Sequence, residues 1–214
     1  MSITVKKLVV GPIEENCYIV YDPDDTEKKC FIVDPGAGGS RIINCLKAVR
    51  LTPTDIYLTH GHFDHIMAVG WILREFPEVR VHAYEAEKAV IDDPEKNMLR
   101  GMDPGEWTKN VDYVKEGNGL VLSGIDVRVI FTPGHTEGSS CLYHEKDGIL
   151  FSGDTLFKES VGRTDFPSGN TAALTASVRN KLMNLPGETK VYPGHGDETV
   201  IEHEKMYNFI MFDF

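Results

Sequence analysis

The stretch Thr59-His60-Gly61-His62-Phe63-Asp64-His65 constrains this chain most, because four metal-capable side chains fall within six residues directly after the apolar run Ile56-Tyr57-Leu58. An apolar run that stops abruptly in a polar turn reads as a buried strand aiming several side chains at one point. Imidazole and carboxylate ligands suit zinc, iron or manganese, so the stretch reads as one half of a two-metal site. A polar loop that happens to hold histidines is the plain alternative.

The remaining histidines and aspartates sort by whether they share that context. His135 follows Val127-Arg128-Val129-Ile130-Phe131 in Thr132-Pro133-Gly134-His135; Asp154 follows Ile149-Leu150-Phe151 in Ser152-Gly153-Asp154; His195 follows Lys190-Val191-Tyr192 in Pro193-Gly194-His195. Each is a strand, then glycine, then a ligand, and glycine lets the backbone turn sharply and approach other groups closely. His82, His144 and His203 lack the pattern. The first two lie in or near strand-like runs and the third in a polar helix, which points to surface or core-edge roles. Five His and two Asp are too many ligands for one four-coordinate metal and suit two metals sharing a bridge.

In this order the residues resemble the metallo-β-lactamase superfamily, whose pattern is H-x-H-x-D-H, a later His, a later bridging Asp and a last His. The resemblance implies two divalent metal ions, zinc first with iron or manganese as alternatives. His60, His62 and His135 would hold one, Asp64, His65 and His195 the other, and Asp154 would bridge them. A carboxylate can span two cations and a neutral imidazole cannot. Asp34, in Val33-Asp34-Pro35-Gly36, matches a position where the family carries an acid that orients a ligand; an ordinary turn former is the alternative.

No linker or low-complexity run interrupts the chain, so residues 1–214 are expected to form one domain. Lys and Arg total 22 against 33 Asp and Glu, giving a formal charge of −11 with no basic stripe, and nucleic acid is not an expected partner. The first residues lack a signal-peptide core and no run is long enough to span a bilayer, so no membrane association and a cytoplasmic location are expected. Cys17, Cys30, Cys45 and Cys141 are scattered among apolar neighbours without C-x-x-C spacing, as buried free thiols would be. No feature sets an oligomeric state.

Val5 to Val10, Cys17 to Tyr21 and Cys30 to Asp34 read as strands, followed by a helix from about Ser40 to Val49 with Ile42, Ile43, Leu46 and Val49 on one face. Ile66 to Phe76 and Tyr84 to Ile91 read as helices, and Asp92 to Asp112 as a long loop suited to a lid or a wall of a cleft. The second half places strands at Leu120 to Leu122, Ile125 to Phe131, Ser140 to Tyr143 and Ile149 to Phe151. A helix from about Asn170 to Leu185 follows, closed by Pro186-Gly187, and the last helix opens on a Thr199/Glu202 capping box and runs toward Phe209. Alternation alone gives α/β or α+β; the family resemblance implies a four-layer αββα sandwich.

The superfamily holds many chemistries, and the residues after Asp154 help to choose among them. Gly153-Asp154-Thr155-Leu156-Phe157 and Gly162-Arg163-Thr164-Asp165-Phe166 resemble the glyoxalase II group and its short bacterial relatives, and also the persulfide dioxygenases. The first resemblance implies hydrolysis of a small acyl thioester such as S-lactoylglutathione by water activated between two cations, with Asp64 steering that water as well as ligating. Arg163 would contact an anionic part of the substrate, or else simply pair with Asp165. The second reading is a mononuclear iron dioxygenase using His60, His135 and Asp154 on a persulfide. The third, a non-catalytic metal-binding domain, is disfavoured by the complete ligand set. β-Lactamases are not expected, because His65 stands where that branch carries a non-ligand residue, and nucleic-acid-processing branches would bring a further domain or an RNA-binding arm. Two departures count against glutathione as the thiol carrier. The chain ends soon after its last ligand, without the basic helical extension of full-length glyoxalase II, and Asp165 stands where an aromatic partner is expected.

Overall fold

Two six-stranded sheets form the centre of the protein, for which the computed structural model describes residues 2–117 and 119–212. The first sheet runs in chain order through β1 (Thr4–Val10), β2 (Glu15–Tyr21), β3 (Lys29–Val33), β4 (Thr52–Leu58), β5 (Arg80–Tyr84) and β6 (Val111–Val114). It is antiparallel up to β3 and parallel beyond. Parallel neighbours need crossovers, which α1 (Gly39–Val49), α2 (Phe63–Ile66), α3 (Val69–Glu75) and α4 (Lys88–Ile91) help to supply. The second sheet contains β7 (Gly119–Leu122), β8 (Ile125–Phe131), β9 (Ser140–His144), β10 (Ile149–Gly153), β13 (Lys190–Pro193) and β14 (Thr199–Val200), ordered β14-β13-β10-β9-β8-β7. A small hairpin of β11 (Leu156–Phe157) and β12 (Ser160–Val161) follows Asp154, and α5 (Thr171–Asn180) and α6 (Ile201–Tyr207) complete the chain's helices among the described residues.

Strand periodicity sorts the apolar residues into three cores, and three cores separate four layers. In β2, Ile19 packs with Ile42, Leu46 and Ile72 of the first helical layer, while Tyr18 and Val20 on the opposite face meet Val127, Val129 and Phe151 between the sheets. Beyond the second sheet, Ile130, Tyr143 and Val191 pack on Val178 and Ile201 of α5 and α6. The αββα arrangement implied by the family resemblance is the one found. The four cysteines are free, three buried and Cys45 half-buried. Among the described residues, no helix is long and apolar enough to cross a membrane.

Several local expectations are corrected. Tyr84 to Ile91 is not one helix: Tyr84 ends β5, a 3-10 turn spans Glu85–Glu87, and α4 begins only at Lys88. The strand was hidden because a parallel strand buried on both faces has no alternation to betray it. Ile66 to Phe76 divides between α2 and α3, and the helix expected to reach Leu185 stops at Asn180, giving way to a 3-10 turn at Leu182–Asn184. The long loop ends earlier than expected, in a 3-10 turn at Glu106–Asn110 and then β6. Thr199 does not form a capping box with Glu202; its hydroxyl donates to Glu204. His82 and His144 are buried rather than peripheral, bonded to Asp55 and to the Asp126 carbonyl.

Asp55, itself buried, ties the two sheets together at β4. It accepts from Arg80 and His82 of β5, from the Thr54 hydroxyl, and from the Ser123 backbone N–H in the β7–β8 turn. Burial alone would raise its pKa, but these bonds and the Arg80 charge together hold it at about 2. Because the folded value lies below the unfolded one of about 3.9, ionised Asp55 favours the fold above about pH 4, and that contribution is lost as pH falls toward 2. Asp55→Asn should therefore lower stability by about 1–3 kcal/mol at neutral pH. Urea unfolding at stepped pH should show the gap closing between about pH 4 and 2. A gap that stayed constant would assign the loss to packing rather than charge.

Candidate metal centre

The five motif histidines and both aspartates meet at one end of the sandwich. His60 and His62 leave β4, Asp64 and His65 lie on α2, His135 follows β8, Asp154 follows β10 and His195 follows β13. The strand–glycine–ligand pattern has a steric cause at Gly153, whose φ of +49° is unfavourable for other residues and whose missing Cβ would sit 2.3 Å from Thr59 Oγ1. Asn16 of β2, unnoticed in the sequence, fixes the His195 turn by donating from Nδ2 to the carbonyls of Pro193 and Gly196, and the Tyr18 hydroxyl adds a bond to Pro193. An asparagine directly before the apolar run Cys17-Tyr18-Ile19-Val20 was the available signal.

Two ligand sets result. Potential donor atoms of His60, His62 and His135 lie within 4.8 Å of one another, as do those of Asp64, His65 and His195. Asp154 reaches both: its Oδ1 is 3.4 Å from His65 Nε2, and its Oδ2 is 3.5 Å from His135 Nε2 and 3.8 Å from His195 Nε2. Asp34 also approaches His60 and His65, but its oxygens are already engaged. Oδ1 accepts the Thr59 N–H, and Oδ2 accepts both the Thr59 hydroxyl and His65 Nδ1–H. That geometry suits an acid that orients ligands. Asp34 holds it in a left-handed backbone conformation, φ +47°.

Hydrogen bonding assigns most ring tautomers. His65 Nδ1–H donates to Asp34, His135 Nδ1–H to the Arg163 carbonyl and His195 Nδ1–H to the Ile13 carbonyl, at 2.9, 2.8 and 3.2 Å. Thr59 spends its own proton on Asp34, so its oxygen accepts from His60 Nδ1–H at 3.1 Å. These four rings present Nε2. His62 differs: its Nδ1 faces His135 Nε2 at 2.9 Å, and its buried Nε2 has no hydrogen-bond partner among the described residues.

The set is electrostatically unbalanced in a way that cations would correct. Burial, and then the neighbouring histidines, push His60 well below the ordinary imidazole range; burial and His135 bring His62 to about 3, leaving bare lone pairs. Around His65 the opposite holds. Burial would lower its pKa, but Asp64, Asp154 and Asp34 together draw it well upward, marking a place where positive charge is wanted. Buried His60 Nε2, His65 Nε2 and Asp154 Oδ1 lack hydrogen-bond partners as well. Neutral imidazoles and ionised carboxylates with unspent donor atoms are the chemistry of a divalent-metal site, and the residues present fit two such ions.

The sets floor an open cleft of about 510 Å³. Ile13, Phe63, Met98, Phe157, Val161 and Phe166 give it apolar walls, Met98 being a contribution of the long loop after α4. Arg163 stands on the rim, more than half exposed, in a two-pronged pair with Asp165 at 2.7 Å and stacked over Phe166 at 3.9 Å. Glu15, an acid passed over in the sequence, lies buried 3.9 Å from His65 Nδ1, and burial holds its carboxyl well above the usual range. His203 stays apart, pairing with Glu159 on the surface.

Known proteins resemble this chain over nearly its whole length. A probable metallo-hydrolase of Bacillus subtilis, YqgX, is 38% identical over 207 residues, covering 95% of both chains. The hydroxyacylglutathione hydrolase GloC of Haemophilus influenzae is 31% identical, covering 95% of this chain and 96% of its own. Among solved structures, the BLEG-1 B3 metallo-beta-lactamase superposes with a TM-score of 0.89 at 37% identity, covering 98% of this chain and 100% of its own. TTHA1623 in a di-iron-bound form does so with 0.81 at 30%, covering 96% and 99%. The metallo-beta-lactamase superfamily is matched over residues 10–195, and together with these likenesses and the convergence of the motif residues it establishes that this chain is a metallo-hydrolase of that superfamily.

Proposed function

We propose that this chain is a binuclear thioesterase of the glyoxalase II type, hydrolysing a small acyl thioester such as S-lactoylglutathione. The observation that carries the reading is the pairing of two ligand sets through Asp154 on the floor of one open cleft. His60, His62 and His135 would hold one divalent ion and Asp64, His65 and His195 the other, with zinc or iron both suited to the donors. When bound, the two ions supply Lewis acidity that polarises the thioester carbonyl and brings the pKa of water toward neutrality.

The chain's own groups do the rest. Asp64, partly open to the cleft and kept ionised by His65 despite burial, is placed to accept a hydrogen bond from the attacking water and orient it. No cysteine lines the cleft among the described residues, and every ionisable group lining it except Arg163 belongs to the ligand sets. A dedicated general acid is therefore lacking, which suits a thiolate leaving group because it departs without protonation. The apolar walls take the acyl group and the near part of the thiol carrier.

Arg163 is the cationic group at the rim, and it binds the carrier's carboxylate. Its pair with Asp165 is exposed to water, hence weak, and yields to a better-placed anion. Arg163→Ala should lower kcat/KM for S-lactoylglutathione about ten- to a hundredfold, mostly through KM, and leave a small uncharged thioester nearly unaffected. Equal losses on both substrates would make the arginine structural, serving only Asp165 and Phe166.

Likeness to BLEG-1 favours a second reading, hydrolysis of a β-lactam ring, against the expectation drawn from His65. A side-by-side assay of the metal-loaded protein with S-lactoylglutathione, a chromogenic cephalosporin and, by oxygen uptake, glutathione persulfide separates the possibilities. Thioester turnover should exceed both others by at least about a hundredfold, some 2.7 kcal/mol in transition-state binding. Faster β-lactam opening, or oxygen consumption by the iron form, would replace the thioesterase reading.

A further inference from the structure

Four of the five motif imidazoles are fixed by a hydrogen bond from Nδ1 to an oxygen, whereas the Nδ1 partner of His62 is another ring of the same set, His135. His62 Nδ1 looks directly at His135 Nε2, so the His62–His135 geometry must be set from outside the rings. The group placed to do so is Glu87, the last residue of the 3-10 turn after β5 and fully buried. Its Oε1 accepts the N–H of Gly61, between His60 and His62, at 2.7 Å. Its Oε2 accepts the hydroxyl of Thr136, next to His135, at 2.8 Å. Ser139 extends the network by accepting the Thr136 N–H and donating its hydroxyl to the Thr136 oxygen. One carboxylate thus joins the two turns that carry the three-imidazole set, and it touches neither an imidazole nor the cleft.

We propose that Glu87 is a positioning residue that holds the His60–His62 turn against the His135 turn and so sets the metal affinity of the three-imidazole set. Burial raises the Glu87 carboxyl to about 8, opposed by the bonds from Thr136 and Gly61. No cationic side chain pairs with it among the ion pairs of the described residues. A glutamate enclosed in this way is costly to bury, and its hydrogen bonds to two ligand turns are what offset that cost. Asp34 is its counterpart in the other half of the centre, bonding His65 directly and His60 through Thr59. Division of labour follows: Asp34 bonds a ligand ring, Glu87 the residues beside the ligands.

The inference rests on the binuclear reading, and stepwise metal titration tests the two separately. Unaltered apo-protein is titrated with Co(II) against a competing chelator, following the ligand-field spectrum. Two ions are expected; a single ion refutes the binuclear reading, and the Glu87 comparison is then made on that ion. Glu87→Ala should weaken the three-imidazole set about ten- to a hundredfold and leave the Asp64/His65/His195 set within about threefold. Glu87→Gln, which keeps one acceptor oxygen for Gly61, should fall between Ala and the unaltered protein. Its milder change also provides the measurement should the Ala variant not fold. Wild-type affinities in both variants would overturn the proposal. So would equal weakening of both sets accompanied by a lower apo-protein Tm, the signature of a residue that only packs.

Discussion

Asp154→Asn is expected to lower turnover by about 10²–10³-fold while KM moves only a few-fold, the size of loss seen when one charge-stabilising group leaves a reacting centre. Asparagine keeps the shape but loses the charge, and Asp154 is the carboxylate that faces donor atoms from both ligand sets. Burial would push its pKa upward; the charge of His65, with those of His135 and His195, outweighs burial and holds Asp154 well below the usual carboxylate range. The charge removed is therefore one that the folded protein maintains throughout the working pH range. Turnover should be measured with excess metal and the bound metal counted on the same sample. Full metal content with turnover within tenfold of the unaltered enzyme would show that Asp154 does not join the two halves.

Gly194→Ala is expected to be nearly as damaging, although glycine does no chemistry. A Cβ at this position would sit 2.2 Å from Asp154 Oδ1 and 2.8 Å from His65 Cε1, both buried within the centre. The methyl group can enter only by moving Asp154, which lies between the two sets, and His65 of the second set. Displacement on the order of 1 Å in such a site costs about 10²-fold in rate, and overpacking typically costs a further 1–3 kcal/mol of stability. For a chain of this size that corresponds to a Tm lower by roughly 2–12 °C. Calorimetry and kinetics on the same preparation check both halves. Activity within a few-fold of the unaltered enzyme would show that the His195 turn is free to shift, contrary to its anchoring by Asn16 and Tyr18.

Gly194 also illustrates how much of the centre could be read before folding. A strand followed by glycine and then a ligand singled out His135, Asp154 and His195 among residues far apart in the sequence, because close backbone approach leaves a compositional mark. Residues that act through one hydrogen bond leave no such mark. Glu87 fell inside a stretch that reads as a helix, and only the end of β5 at Tyr84 and the turn after it place its carboxylate against Gly61 and Thr136. Asn16 likewise acquires its role only when β2 passes beside the His195 turn, a contact across nearly the whole chain. His82 shows the reverse error. Without a partner in view it reads as peripheral, whereas Asp55 on the neighbouring strand makes it a buried half of a bonded pair.

By itself the sequence determined the ligand types, their order and the alternation of strands and helices, all of them properties of short segments governed by side-chain chemistry and period. Tertiary structure decided how those segments face one another. It divided the ligands into two sets with Asp154 between them, turned four imidazoles to present Nε2 and left His62 to the backbone. It also paired Arg163 with Asp165 at the rim instead of leaving it extended into the cleft. The physical reason is that hydrogen bonds and charge interactions act over a few ångströms in space, with no regard to the many residues that separate their partners along the chain.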